Sequence, residues 1–235
     1  IRKIVISTGV VTTLAGSSLG STDATGTSAR FNYPVGITTD GTNLYVTDES
    51  NHRIRMIVIS TGAVTTIAGT GSAGSTDHNT GTSASFNNPQ GITTDGTSLY
   101  VADMANHRIR KIVISTGVVT TLAGNSYGQV SGGVIDATGT SAQFNNPIGI
   151  TTDGTNLYVA EYMNHSIRKI VISTAVVTTI AGNTGARSGT EDGTGISTSA
   201  YGGTGSRFNS PQGITTDGTN LYVADKANHR IRKIQ

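Results

Sequence analysis

Apolar and polar residues follow one arrangement through residues 31–69. Short runs rich in β-branched and apolar residues alternate with Gly, Asp, Asn and Ser, a spacing typical of β-strands joined by tight turns. Asp40-Gly41 stands between two such runs, and this pair is a strong hairpin signal because the turn requires a positive φ. The pattern predicts four antiparallel strands in a meander: Ile37–Asp40, Leu44–Thr47, His52–Ile59 and Ala63–Ala68.

This unit recurs along the chain almost letter for letter. Complete copies span residues 31–69, 86–124 and 144–182, and a fourth copy is split between residues 208–235 and 1–16. A single four-stranded sheet leaves two apolar faces exposed, so repeats of this size have to pack on one another. We therefore predict an all-β fold, a single β-propeller domain over residues 1–235 with four four-stranded antiparallel blades.

The split copy predicts a closed ring in which the N-terminal and C-terminal strands share one blade. The text Ile-Arg-Lys-Ile occurs at residues 1–4 and again at residues 231–234, so two segments compete for the third strand of that blade. The shared blade takes either three strands from the C-terminal part and one from the N-terminal part, or two from each.

Four linkers separate the units and differ in length. Each linker nevertheless contains an Asp followed by Thr-Gly, over residues 17–30, 70–85, 125–143 and 183–207. A wholly flexible spacer does not need such a core, so we expect each linker to fold locally through side-chain-to-backbone bonds from Asp and Thr.

Composition narrows the function classes only slightly. Charged residues make up 13% of the chain, and the formal net charge of +2 is too small to indicate an anionic partner. The absence of Cys excludes disulfides and thiolate chemistry. No apolar run reaches the ~20 residues of a membrane-spanning helix, so we expect no membrane partner. The low charge and the absence of Cys favour an exported bacterial protein.

Four sequence blocks occur together in the units: a Pro-x-Gly-Ile opening, a Leu-Tyr-Val strand, an Asn-His block and a Val-Thr-Thr-x-Ala-Gly end. In this combination the chain resembles the NHL-repeat family of β-propellers, although Arg or Ser follows each His of the Asn-His block. The resemblance implies about six blades. Four blades then make the chain a piece of a longer propeller, an unusually small ring, or half of a ring that a second chain completes.

An acidic residue, a His and an Arg recur at the same places in every unit. Copies of one residue dispersed around a ring do not converge on one point, so we predict a structural hydrogen-bonded network rather than a catalytic site. We expect no catalytic residue, no metal ligand and no cofactor. The network comprises Asp48, His52, Arg55, Asp103, His107, Arg110, Glu161, His165, Arg168, Asp225, His229 and Arg232.

Most of the sixteen basic residues fall on the predicted third strands. A basic stripe suggests RNA, which some propellers of the resembled family bind. Third strands, however, lie inside each sheet, and no exposed set of aromatic residues accompanies the Arg side chains, as single-strand binding would require. We therefore favour ion pairs between blades over contacts with nucleic acid.

Positions that differ among the copies flank the Pro that opens each unit and precede each Asn-His pair. In an up-and-down meander both places lie at the same edge of the sheet, so these positions gather on one face of the disc. We predict that this face binds a protein or a small ligand, because loops on a rigid scaffold usually carry function. Surface drift alone produces the same variation. The candidate residues are Tyr33, Val35, Gln90, Met104, Ile148, Tyr162, Met163 and Gln212.

The sequence thus predicts a non-enzymatic NHL-like propeller that acts as a binding scaffold. It is monomeric, or dimeric if a second chain completes the ring. Three alternatives stay open: a metal-dependent propeller lyase or lactonase with asymmetric polar residues in its channel, an RNA-binding propeller, and an amplified or engineered array without a selected ligand.

Overall fold

A computed structural model describes residues 1–125, 134–198 and 205–235. Regular structure in these residues consists of β-strands and short 3-10 turns, and none of their helices has the length and apolar character needed to cross a membrane. The strands are β1 (Arg2–Ile4), β2 (Val11–Thr13), β3 (Pro34–Thr39), β4 (Asn43–Asp48), β5 (Arg53–Val58), β6 (Val64–Ala68), β7 (Pro89–Thr94), β8 (Ser98–Asp103), β9 (Arg108–Val113), β10 (Val119–Ala123), β11 (Pro147–Thr152), β12 (Asn156–Glu161), β13 (Ser166–Val171), β14 (Val177–Asn183), β15 (Ile196–Ser197), β16 (Pro211–Thr216), β17 (Leu221–Asp225) and β18 (Arg230–Ile234).

The strands form antiparallel meanders that follow chain order. Blade 1 is β3–β6, blade 2 is β7–β10, and blade 3 is β11–β14 with β15 added in parallel at its outer edge. Two smaller sheets flank these blades: the N-terminal pair β1–β2, and the C-terminal sheet β16–β18, which supplies three strands of the fourth blade. The predicted all-β propeller of four-stranded antiparallel blades is confirmed.

Each Asp-Gly pair makes the hairpin turn that the sequence predicts. Gly41 has a φ of +89°, and the Asp40 carboxylate accepts hydrogen bonds from the backbone N–H groups of Thr42 and Asn43 at 2.8 and 2.7 Å. The Tyr45 hydroxyl donates to the same carboxylate at 2.8 Å. Burial would raise the pKa of Asp40, but these hydrogen bonds lower it to about 2. The turn therefore carries a stable negative charge.

Apolar side chains fill the space between neighbouring blades. Between blades 1 and 2, Tyr45 and Ile54 pack with Phe86, Leu99 and Ile112, and all five are fully buried. Burying a side chain of this size contributes about 1.5–3 kcal/mol. Similar clusters join the N-terminal pair to blade 1, blade 2 to blade 3, and blade 3 to the C-terminal sheet. The first strands consequently lie in a row, β3 beside β7, β7 beside β11 and β11 beside β16.

The linkers fold locally, as predicted, and fasten adjacent sheets to each other. In the first linker the Thr-Gly core opens a 3-10 turn at Gly26–Ser28. The Gly26 N–H donates to the carbonyl oxygen of Gly62 in blade 1, while the Gly26 carbonyl oxygen accepts from the N–H of Gly16 after β2. The corresponding turns are Gly81–Ser83 and Gly139–Ser141. Parts of two linkers, residues 126–133 and 199–204, lie outside the described residues.

The predicted closure of the ring is not made in the strand pairing of the described residues. β1 pairs with β2 alone and β18 pairs with β17 alone, so no blade combines N-terminal and C-terminal strands. The terminal strands do not share a blade because the sequence Ile-Arg-Lys-Ile is present at both ends of the chain. Residues 1–4 and 231–234 each occupy the third-strand position of their own sheet, and one shared blade has room for only one of them.

Candidate binding face and the network beneath it

A buried network of charged and polar side chains fixes the end of the second strand in each blade. In blade 2, Asp103 is fully buried and its Oδ1 accepts the backbone N–H of Asn87 at 2.8 Å. Its Oδ2 accepts from Asn106 Nδ2 and from Arg110 Nη1, both at 2.8 Å. The second guanidinium nitrogen of Arg110 reaches Asp77 in the preceding linker at 2.6 Å. One Arg thus ties the sheet to its linker.

The same arrangement recurs around the chain. Burial raises the pKa of Asp103, whereas Arg110 and the hydrogen bonds lower it. Removing either partner would therefore strand a buried charge, which is costly. Each Arg also lies over the Phe ring that opens its unit, at 4.9 to 5.1 Å from the ring centroid. The acid, Asn, Arg and linker acid are Asp48, Asn51, Arg55 and Asp23; Glu161, Asn164, Arg168 and Asp136; and Asp225, Asn228, Arg232 and Asp192.

The Arg ion pairs differ from those predicted in one respect. Each Arg pairs with carboxylates of its own blade and of its own linker, not with a neighbouring blade. The sequence prediction of pairs between blades was wrong because the linker Asp residues fold back along the outermost strand, where Asp77 also accepts the N–H of Thr121 at 2.9 Å. Arg55, Arg110 and Arg168 are fully buried.

The His residues lie outside this network, which corrects their predicted membership of it. Each follows its turn in the left-handed region, with a φ of 53 to 55°. In blades 1 to 3 the His Nδ1 accepts a backbone N–H from the next blade: His52 from Asn88 at 3.1 Å, His107 from Asn146 at 3.2 Å and His165 from Ser210 at 2.9 Å. The Asn that precedes each His takes the place in the network, because its amide reaches the acid three residues back.

These bonds require an imidazole whose Nδ1 is unprotonated. Burial lowers the pKa of His107 and of His165, against the opposing influence of Glu161 and Asp225 respectively. Near neutral pH the rings of His107 and His165 are uncharged, with Nδ1 accepting and Nε2 carrying the proton. The His side chains of blades 1 to 3 therefore link neighbouring blades by hydrogen bonds.

The variable positions of the sequence lie along one edge of each sheet, which we call the turn face. It consists of the segment before each first strand and the turn after each second strand. Backbone bonds hold the two together: the N–H of Glu49 donates to the carbonyl oxygen of Tyr33, and the N–H of Tyr162 to that of Asn146. A second bond at the adjacent positions of the repeat joins Ser50 to Asn32, Ala105 to Asn87 and Ala227 to Asn209.

The structure places the predicted binding residues along this edge with different degrees of exposure. Tyr33 is 70% exposed, and Val35 and Met163 are also exposed. The half-buried candidates are Gln90, Met104, Ile148, Tyr162 and Gln212. Val35, Gln90, Ile148 and Gln212 belong to first strands, whereas Met104, Tyr162 and Met163 belong to turns.

Variable residues of neighbouring blades also touch. The ammonium of Lys226 lies 5.9 Å from the ring centroid of Tyr162, and the side-chain amide of Asn88 donates to the Glu49 carboxylate at 3.3 Å. Side-chain contacts thus link the turn face between blades 1 and 2 and between blade 3 and the C-terminal sheet. Among the described residues, no three His, Cys, Asp or Glu side chains are grouped closely enough to hold a metal ion.

Comparison with known proteins identifies the repeat. The NHL repeat family matches residues 31–55 and 208–234. The chain contains NHL repeats, and these matches support an NHL-repeat β-propeller family. It is 35% identical over 132 residues to NHL repeat-containing protein 2 of Bos taurus, a match that covers 51% of this chain and 18% of the relative. It is 28% identical over 231 residues to the Arabidopsis thaliana protein SUPPRESSOR OF QUENCHING 1, chloroplastic, covering 92% of this chain and 21% of the relative.

Solved structures share the propeller fold of this NHL-repeat chain. An auxiliary nutrient binding protein from Bacteroides ovatus superposes with a TM-score of 0.67 at 19% identity, covering 100% of this chain and 58% of the other. Virginiamycin B lyase from Staphylococcus aureus superposes with a TM-score of 0.52 at 19% identity, covering 86% of this chain and 52% of the other. This NHL-repeat chain spans about one fifth of the curated relatives and little more than half of these structures.

Sequence reasoning missed three members of the repeated architecture. Asn51, Asn106 and Asn228 bridge the buried acid to the linker. Asp77 and its equivalents complete the Arg pair, and Phe86 and its equivalents lie under the guanidinium. All three types recur in every unit of the sequence, so repetition itself was the available signal. Their roles emerge only when the linker is folded onto the blade.

Proposed function

We propose that this NHL-repeat propeller is a non-enzymatic binding scaffold whose turn face contacts a protein or a small ligand. One observation carries the proposal: the polar residues that repeat are engaged in the architecture, whereas the residues that vary lie together on the turn face. The buried carboxylates accept bonds from Arg, Asn and backbone N–H groups, and each His Nδ1 of blades 1 to 3 accepts from the next blade.

The side chains on this face suit contact recognition. Tyr33 and Met163 are exposed, and Tyr162 and Lys226 of neighbouring blades already contact each other. Aromatic residues and Met are enriched in binding interfaces because they bury large areas at low entropic cost. The neighbours named as auxiliary nutrient binding proteins support the proposal through shared architecture, since identities near 20% carry no residue-by-residue correspondence.

A library of random peptides displayed on phage provides a probe for the test. We expect selected peptides to lose binding to a Tyr162→Ser, Met163→Ser double variant whose melting temperature is unchanged. Val176→Ser is the matched control, because Val176 is an exposed apolar residue on the opposite edge of the same blade. Peptides that ignore the double variant, or that lose binding equally to the control, would contradict the proposal.

A lyase-like activity is the competing function, because virginiamycin B lyase shares the fold. It would require a bound divalent ion and turnover. Metal analysis of the purified chain separates the two functions: a stoichiometric, tightly held ion would favour the enzyme, whereas peptide binding by metal-free protein favours the scaffold.

A further inference from the structure

The first strands of successive sheets meet at three places, β3 with β7, β7 with β11 and β11 with β16, which we call joints. The three joints share one geometry. At each joint a first-strand Gly receives the neighbouring first strand so closely that a Cβ on the Gly would meet that strand's backbone carbonyl. The same Cβ would lie 3.2 Å from Cγ2 of the neighbouring Ile. A His-to-backbone bond accompanies each contact. The Gly and Ile pairs are Gly36 with Ile92, Gly91 with Ile150, and Gly149 with Ile214.

The C-terminal sheet carries the receiving half of such a joint without an occupant. A Cβ on Gly213 would meet only Ala224 of its own sheet, at 3.5 Å. Ile231 is 74% exposed, whereas Ile54, Ile109 and Ile167 at the same repeat position are fully buried. A cavity of about 340 Å³ lies here, lined by Gly213, Ala224, His229 and Ile231 among others. Within the described part of the chain, no group donates to His229 Nδ1.

Blade 1 carries the inserting half of the joint, also unused. Ile37 is 51% exposed, whereas Ile92 and Ile150 at the same repeat position are 6 and 7% exposed. Val35 is 50% exposed. Tyr33 occupies the position of Asn88, whose N–H bonds to the preceding His, and its φ of 54° matches the 52° of Asn88. The backbone of Tyr33, whose N–H would donate to such a His, therefore already has the conformation found at the joints.

In the part of the chain that the structure describes, no strand pairing joins these two ends. The first strands lie in the order β3, β7, β11 and β16, with extensive contacts between consecutive members and none of that extent between β3 and β16. Both halves of the joint are consequently exposed in the same molecule, and each has the shape that the other completes. A second copy of the chain offers the required partner for each end.

We propose that two copies assemble head to tail. Ile37 of one copy inserts against Gly213 and Ile231 of the next, and the N–H of Tyr33 donates to Nδ1 of His229. The interface is continuous with the three joints inside each chain, because it repeats their contacts. Such a contact joins different surfaces of the two copies, so a ring forms when the rotation closes.

Docking displaces one short strand. β1 and β18 both occupy third-strand positions, and the sheet that lies beside blade 1 has room for one of them. β1 is three exposed residues that pair only with β2, and an isolated two-stranded sheet is marginally stable. β1 is therefore the strand that yields.

Sedimentation of the full chain across a range of concentrations tests the assembly. We expect the mass to rise from 24.1 kDa to twice that value with a micromolar dissociation constant. Ile37→Asp blocks the inserting end and Gly213→Ala blocks the receiving end. Each variant alone should stay at 24.1 kDa, with dimerisation weakened more than about a hundredfold by the buried charge or the displaced strand.

Mixing the two variants gives the decisive readout. The intact end of one variant still matches the intact end of the other, so an equimolar mixture should regain the dimer mass. Failure of the mixture to associate would overturn the head-to-tail arrangement, as would a wild-type chain that stays monomeric. A monomeric chain whose melting temperature falls with Gly213→Ala would instead indicate closure onto its own other end.

Discussion

Two identical hexapeptides in different surroundings offer a direct measurement of how much the blade joints stabilise the fold. Pro-Gln-Gly-Ile-Thr-Thr forms β7 around Gly91 and forms β16 around Gly213. Neither Gly has the positive φ that disfavours other residues, so replacement by Ala tests space alone. At Gly91 a Cβ would meet the carbonyl oxygen of Ile148 and lie 3.1 Å from the N of Ile150, whereas at Gly213 it meets no other blade.

The expected magnitudes follow from this difference. Overpacking a close contact costs about 1–3 kcal/mol, and a backbone carbonyl inside a sheet has little freedom to retreat, so we expect about 3 kcal/mol for Gly91→Ala. For a chain of this length that corresponds to a fall of roughly 6 to 12 °C in the melting temperature. Gly213→Ala should leave the monomer unchanged or raise its melting temperature by about 1 to 4 °C, because Ala restricts the unfolded chain.

Circular dichroism at a dilution where sedimentation gives the monomer mass measures both variants. Hydrogen exchange localises the effect: in Gly91→Ala the N–H of Asn146, which bonds to His107 across the same joint, should lose protection. Equal melting temperatures for the two variants would refute the reasoning, because the two sites differ only in the presence of a neighbouring blade.

Three further predictions concern the repeated polar groups. Asp103→Asn leaves the buried guanidinium of Arg110 short of its charge partner and should cost about 3–5 kcal/mol in denaturant unfolding, whereas Asp77→Asn, at the half-exposed end of the same pair, should cost less than about 1 kcal/mol. Tyr100→Phe removes a 2.7 Å hydrogen bond to the turn carboxylate and should lower stability by about 1 kcal/mol, without changing the fold seen by circular dichroism. Burial lowers the pKa of His107 below its ordinary 6.5, so the unfolded chain takes up protons first; the melting temperature should fall as pH drops below about 6.5, and less in His107→Gln.

The strands were predictable because the same local sequence pattern indicates them in every repeat. Alternation marks the apolar face, and Asp-Gly marks each turn; the Asp40 carboxylate then holds the turn through bonds to residues two and three positions away. Such short-range interactions can be read from the chain in order. The predicted strand Leu44–Thr47 accordingly differs from the observed β4 by one residue at each end.

The roles of the polar residues were not predictable because their partners are distant in sequence. His52 accepts from Asn88, 36 residues later, and Arg55 reaches Asp23, 32 residues earlier. Repetition indicates that such residues matter to every blade, but it does not say which of them meet. The pairing of the terminal strands was not predictable for a related reason, since the sequence shows two candidates for one strand position without showing which contacts each already makes.

The present contacts of β1 and β18 indicate which of these two strands keeps the third-strand position. Arg232 of β18 is held by Asp225 at 2.9 Å and Asp192 at 2.6 Å and lies over Phe208, whereas Arg2 of β1 is exposed. Displacing β18 would break a buried pair, whereas displacing β1 releases three exposed residues. When two copies join, β18 should keep the position and β2 should become the fourth strand beside it. Hydrogen exchange on the assembled protein should therefore show protection lost at Lys3 and gained at Thr12; protection retained at Lys3 would mean that the copies join without completing the blade.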